Sequence, residues 1–294
     1  MKLSKLLRSR LESIKNPEIH EILNAIDGLR FGRETYGIFD PARTVFLGDN
    51  VPVAAVLEEM SRRRIQHFVQ LQGNSVFLPN LTVSGAMLLV AGRFLRDPVR
   101  YFFPTIYSSD SSPSRVRRTT INFQSSRDRD AVLSQVRDFV IAEKITKPIE
   151  ETARIIVDEM YSNALQAPID ENGIRIYEKA KDRDQEMALG PHQVAKLTLA
   201  NDEDRLLISL EDPCGSLAPE SLWSSLTEAF DPGASEMGIP NDARLGMKIM
   251  IDSCSEFAVV SKKNIMTSVN CSVKLGISGR DRSQMAKSLH FKFF

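Results

Sequence analysis

Apolar residues recur three and four positions apart over residues 3–27, where Leu3, Leu7, Leu11, Ile14, Ile19, Ile22, Leu23 and Ile26 trace one helical face. Asn16-Pro17 interrupts that face and marks the start of a second helix. The pattern then changes character. Residues 44–47 followed by Gly-Asp-Asn read as a strand and turn, 53–64 as a helix, and 67–71 and 75–78 as short strands. Residues 81–95 read as a buried helix ending before Asp97-Pro98. This alternation predicts a small α/β domain over residues 1–106. Residues 107–115 are small, polar and proline-containing, and they read as a linker.

Past the linker the pattern predicts a strand at 119–123 and helices at 129–144 and 148–167, with Pro148 in the first turn of the latter. Strands at 193–199 and 205–210 follow, joined by a polar Asn-Asp-Glu-Asp turn. A loop-rich stretch covers 212–244, then a helix at 245–253 and strands at 256–261 and 267–275. Residues 216–244 hold Pro219, Pro232, Gly233, Gly238 and Pro240 and read as a mobile lid. The expected fold class is α+β. A two-layer α/β sandwich over 116–278, a mixed sheet with helices on one face, follows the small N-terminal domain. Residues 279–294 form a tail with a terminal strand.

Composition narrows the function classes. Lys+Arg and Asp+Glu are each 38, so no global charge points to nucleic acid or an anionic membrane. The short basic runs Arg62-Arg63-Arg64 and Arg115-Val116-Arg117-Arg118 read as solvated faces. Cys214, Cys254 and Cys271 include no CxxC pair, which argues against a disulfide framework or zinc site and fits a reducing compartment. His20, His67, His192 and His290 lack metal-ligand spacing. The basic N-terminus lacks the apolar core of a signal peptide, and the run from Gly85 to Gly92 is far shorter than a bilayer span. The expectation is a cytoplasmic protein with no membrane and no nucleic-acid partner.

Three blocks carry candidate chemistry. In ARIIVDEMYSNALQAP, Glu159 and Asn163 stand four apart and share one helix face. A carboxamide oxygen is a hard neutral ligand for magnesium, and a carboxylate above it can accept a proton. In RLLISLEDPCGSL, an apolar strand runs into Asp212-Pro213-Cys214-Gly215, which leaves a carboxylate at a strand end. Such a carboxylate accepts from an exocyclic amine, and Gly215 lets the backbone come close to a base. In NDARLGMKIMIDSC, Gly246-Met247 follows Arg244 at the expected start of a helix.

The order of these blocks resembles the GHKL ATPase superfamily over residues 119–276. The first is similar to the N-box, the second to the D-x-G-x-G block and the third to the glycine-rich helix start. Three departures stand out. Leu217 replaces the second glycine of the middle block, Arg244 occupies a glycine's place, and Gln166-Ala167 rather than His follows the N-box. The resemblance implies a Bergerat-type fold with ATP and Mg2+ as cofactors. It makes Glu159 the polarising base and Asn163 the metal ligand. Asp212, Gly215, Arg244, Gly246, Met247 and Thr267 would complete the nucleotide site, with Thr267 supporting Asp212.

Within the superfamily the arrangement is most similar to the anti-sigma-factor kinases, which bind a protein partner and phosphorylate serine. That implies an ATP-binding regulatory protein with a protein partner, and leaves a homodimer open. One alternative is a degenerate module that keeps the fold as a protein-interaction scaffold. Another is an atypical histidine kinase built on His20-Glu21, which lacks the proline expected after such a pair.

Overall fold

The computed structural model describes residues 16–30, 39–49, 51–71, 78–103, 116–168, 176, 186–230, 242–278, 280–281 and 285–294. The first described element is helix α1 (Pro17–Ala25), whose N-cap Asn16 accepts from the N–H groups of Glu18 and Ile19 at 3.0 and 3.4 Å. Then come β1 (Asp27–Arg30), β2 (Thr44–Asp49), α2 (Val53–Arg63) and β3 (His67–Leu71). Three helices follow: α3 (Leu78–Leu89), α4 (Ala91–Arg96) and α5 (Val99–Phe102). The second half contributes β4 (Arg117–Phe123), α6 (Arg129–Ala142), α7 (Lys147–Leu165), β5 (Ala195–Asn201) and β6 (Arg205–Asp212). Helices α8 (Pro219–Phe230) and α9 (Asp242–Ser253) precede β7 (Glu256–Lys262), β8 (Met266–Lys274) and β9 (Ser288–Phe293).

All nine described strands form one mixed sheet in the order β1-β2-β3-β9-β7-β8-β6-β5-β4. The first three are parallel, β4, β5, β6, β8 and β7 form an antiparallel run, and β9 joins the two sets. It runs antiparallel to β3 and parallel to β7. The chain's last strand therefore seals strands from both ends of the sequence into one layer. The linker expected at 107–115 lies outside the described residues.

Helices cover both faces of this sheet: the helices of residues 116–278 all lie on one face, and N-terminal helices cover the other. On one face Phe46, Phe68, Phe257, Val259, Leu289 and Phe291 belong to a core shared with α2, α6, α7, α8 and α9. On the other, Val45, Leu47, Val69, Ala258 and Val260 pack with α1, α3, α4 and α5. The reason is visible along β2 and β7. Successive side chains point to opposite faces, and both sets are apolar, so both faces must be shielded from water.

Other expectations also shift. The loop-rich stretch contains α8, which starts at Pro219 with Glu220 in its first turn and buries Leu222 and Leu226, one turn apart. Residues 231–241 of the expected lid lie outside the described residues. The expected helix over 81–95 is two helices that break at Val90. The strand expected at 75–78 falls mostly outside the described residues, and Leu78 opens α3.

Candidate functional site

Antiparallel register places Asp212, at the end of β6, directly opposite Thr267 near the start of β8. Pro213 stops the strand, and Asp212 Oδ1 accepts from the N–H groups of Cys214 and Gly215 at 2.9 and 3.3 Å. The Thr267 hydroxyl lies 3.3 Å from Ser261 Oγ and close enough to the carboxylate to favour its charged form. Asp212 is only 8% exposed. Burial pushes its carboxyl up to about 6, against the pull of the two N–H groups and Thr267. The neighbouring Cys214 thiol is pushed up to about 11, by burial first and then by the Asp212 charge, so it is protonated and unreactive at neutral pH.

Asp212 and Thr267 open on a cavity of about 240 Å³ between the sheet and helices α7, α8 and α9. Leu210, Val259 and Val269 supply apolar sheet residues to its lining. Met160, Asn163 and Ala164 enter from α7 and Ala167 from just past its end, Met247 and Met250 from α9, and Ser221, Leu222 and Ser225 from α8. Asn163 is the exposed member of the α7 group. Leu217, the residue standing where a second glycine was expected, also lines the cavity.

Four of the residues singled out from the sequence thus meet at one cavity: Asn163, Asp212, Met247 and Thr267. Glu159 and Gly246 meet each other beside it. A Cβ built on Gly246 would lie 1.9 Å from Glu159 Oε2, so glycine leaves room for the Glu159 carboxylate against α9. Gly246 does not open its helix, however. The helix starts at Asp242, which puts the Gly246 N–H inside the hydrogen-bonded body and leaves the free N–H groups to the first turn. Arg244 stands in that turn, and its side chain lies outside the described residues.

Gly215, expected to let the backbone come close to a base, lies against the β7–β8 hairpin. Its φ is +60°, and a Cβ there would lie 2.2 Å from the carbonyl oxygen of Lys262 in the β7–β8 hairpin. The glycine lets the turn after Asp212 pack against that hairpin, and its carbonyl accepts from Asn264 N–H at 3.1 Å. Sequence reasoning missed the α8 side of the cavity and the methionines Met160 and Met250. Met160 is one of the buried residues of α7, but nothing local in the sequence marks it as a cavity wall.

Among the described residues, no group of three or more His, Cys, Asp or Glu side chains is placed to share a metal ion. No described helix is long and apolar enough to cross a membrane. No protein-family model matches the chain, and no curated protein matches its sequence.

Proposed function

We propose that this cavity receives the adenine of ATP and that the chain is a nucleotide-binding regulatory protein of the GHKL class. Within that class we assign it to the anti-sigma-factor kinase type, a serine kinase acting on a protein partner. The observation that carries the reading is Asp212: a buried carboxylate, directly opposite Thr267, facing a cavity whose walls mix apolar side chains with hydroxyls.

The residues fit the base. An ionised carboxylate is acceptor-only and complements the adenine amine, while Leu210, Val259, Val269 and Met247 offer apolar contact to a flat ring. Pockets for drug-sized ligands measure about 300–1,000 Å³. A cavity of about 240 Å³ suits the base alone, with ribose and phosphates leaving along the exposed Asn163. Asn163 offers its amide oxygen to magnesium, and Glu159, one turn earlier on α7, is the proton acceptor for an attacking hydroxyl. ATP supplies the phosphoryl group and Mg2+ neutralises its charge. Among the described residues no cluster of carboxylates stands ready for the metal, which would be held largely by phosphate oxygens and water.

The position of Gly246 favours a second reading. With its N–H inside the helix body, the phosphates would depend on the turn occupied by Arg244, and a module that has lost ATP is the alternative. The histidine-kinase reading gains no support, because α1, which carries His20, packs on the opposite face of the sheet. Calorimetric titration of the purified protein with a non-hydrolysable ATP analogue, with and without magnesium, separates the two remaining readings. Binding that tightens with magnesium is expected. No heat and no thermal shift at millimolar analogue would leave the scaffold reading.

A further inference from the structure

The seam where β9 joins the two parts of the sheet carries buried polar groups on its α3 side. His67 of β3 and His290 of β9 are direct partners in the antiparallel register. Both are fully buried, with ring centroids 5.7 Å apart. His290 Nδ1 lies 3.1 Å from Ser84 Oγ of α3, and its Nε2 lies 3.4 Å from Glu256 Oε1 of β7, an ion-pair distance without hydrogen-bond alignment. Glu256 is 1% exposed. Asn80 of α3 also donates to Ser288 Oγ of β9. Polar side chains of α3 thus meet β9 at Ser288 and His290, and Glu256 of β7 stands beside His290.

His67 is the weak member of this set. Neither of its ring nitrogens has a hydrogen-bond partner, so nothing in its surroundings is arranged to hold a proton on it. The elements packed on β3 offer little charge compensation. Strand β2 carries only Asp49, exposed and four residues beyond the Val45 level, and α3 carries no titratable residue. On β9 the facing groups are His290 and Lys292, both basic, and Glu256 lies behind His290. Burial, with His290 and Lys292 pushing the same way, holds the His67 imidazole well below the usual histidine range.

We propose that the His67–His290 pair is an acid-sensitive latch, and that protonation of His67 unzips β3 from β9 and so releases the three parallel strands from the rest of the sheet. A charged His67 has no buried partner, and the nearest way to hydrate it is to part the β3–β9 ladder. The sign follows from linkage. Above about pH 6.5, the ordinary histidine value, folded and open forms both carry neutral His67 and the latch is at full strength. As pH falls below that value the open form takes up a proton that the closed form refuses. The opening constant then rises up to about tenfold for each pH unit.

Hydrogen exchange on the full-length protein at pH 7.5 and 5.5, normalised for the intrinsic pH dependence of exchange, tests this. At pH 5.5 peptides covering β3 and β9 should lose about tenfold in protection relative to peptides covering β5 and β6. His67→Phe, which keeps an aromatic ring and removes the proton site, should abolish that relative loss. His67→Gln serves the same comparison if the phenylalanine does not fold. Equal protection of seam and β5–β6 peptides at both pH values would overturn the latch. So would a relative loss that persists in the variant.

Discussion

Glu159 and Gly246 meet across the α7–α9 contact so closely that a Cβ at position 246 would stand 1.9 Å from Glu159 Oε2 and 2.3 Å from its Cδ. The clash is with the end of a side chain, which can swing aside, and not with backbone. Gly246→Ala should therefore act through Glu159. Alanine gains up to about 1 kcal/mol in helix propensity, and crowding costs about 1–3 kcal/mol. A net loss of about 0–2 kcal/mol in denaturant unfolding is expected. If Glu159 is the base, phosphoryl transfer should drop at least tenfold while adenosine affinity holds. Unchanged turnover in a folded variant would remove Glu159 from that role.

Gly215→Ala should behave differently, because its neighbours are backbone. A left-handed φ of +60° is combined with a Cβ position 2.2 Å from Lys262 O and 2.6 Å from Ile265 N. The left-handed conformation alone costs about 1–2 kcal/mol for an alanine, and the hairpin must also move. A total loss of about 2–4 kcal/mol is expected by urea unfolding. A loss under about 1 kcal/mol would show that the β7–β8 hairpin is not held against this turn.

Much of the cavity was legible because its residues stand at element ends with their own local signatures. Asp212 closes an apolar strand before proline, Asn163 lies on a strongly periodic helix, and Met247 follows a glycine within a helical pattern. What was not legible depends on distant pairing. Nothing in residues 288–293 says that the strand inserts between β3 and β7, since that register is set by partners at both ends of the chain. The second helical layer was hidden for the same reason: β7 shows that both its faces are apolar, but not which helices cover them. Helix α8 was obscured by its serines and by Pro219, although proline at a helix start is favourable. Its role as a cavity wall follows from packing against α2 and α9, which local spacing does not encode.

Asn163 should reveal itself through the metal. Asn163→Ala removes an exposed amide and no apolar burial, so the thermal midpoint should stay within about 2 °C, given that surface substitutions usually fall within about 0.5 kcal/mol. Affinity for the ATP analogue should fall only in the presence of magnesium, by about tenfold, the equivalent of about 1.4 kcal/mol for one lost ligand contact. An equal loss with and without magnesium would make Asn163 a contact to the nucleotide itself.

Asp212 links binding, stability and pH with opposite signs. Its folded carboxyl is raised to about 6, whereas an unfolded aspartate titrates near about 3.9. Below about pH 4 both forms are protonated and the group costs nothing. Between about pH 4 and 6 the unfolded chain releases its proton first, so stability is lost as pH rises, and the full cost is present above about pH 6. Asp212→Asn keeps an oxygen for the Cys214 and Gly215 N–H groups and removes the buried charge. It should therefore stabilise the ligand-free protein at pH 7.5 by about 1–3 kcal/mol and have little effect near pH 4. The same substitution should weaken binding by about ten- to a hundredfold, since a donor now faces the adenine amine. With adenosine as ligand, so that no phosphate titrates, wild-type affinity should fall up to about tenfold per pH unit below about 6. The variant should show no such slope. A variant that loses stability at pH 7.5, or binds adenosine as tightly as the wild type, would mean that the carboxylate is structural and the base sits elsewhere.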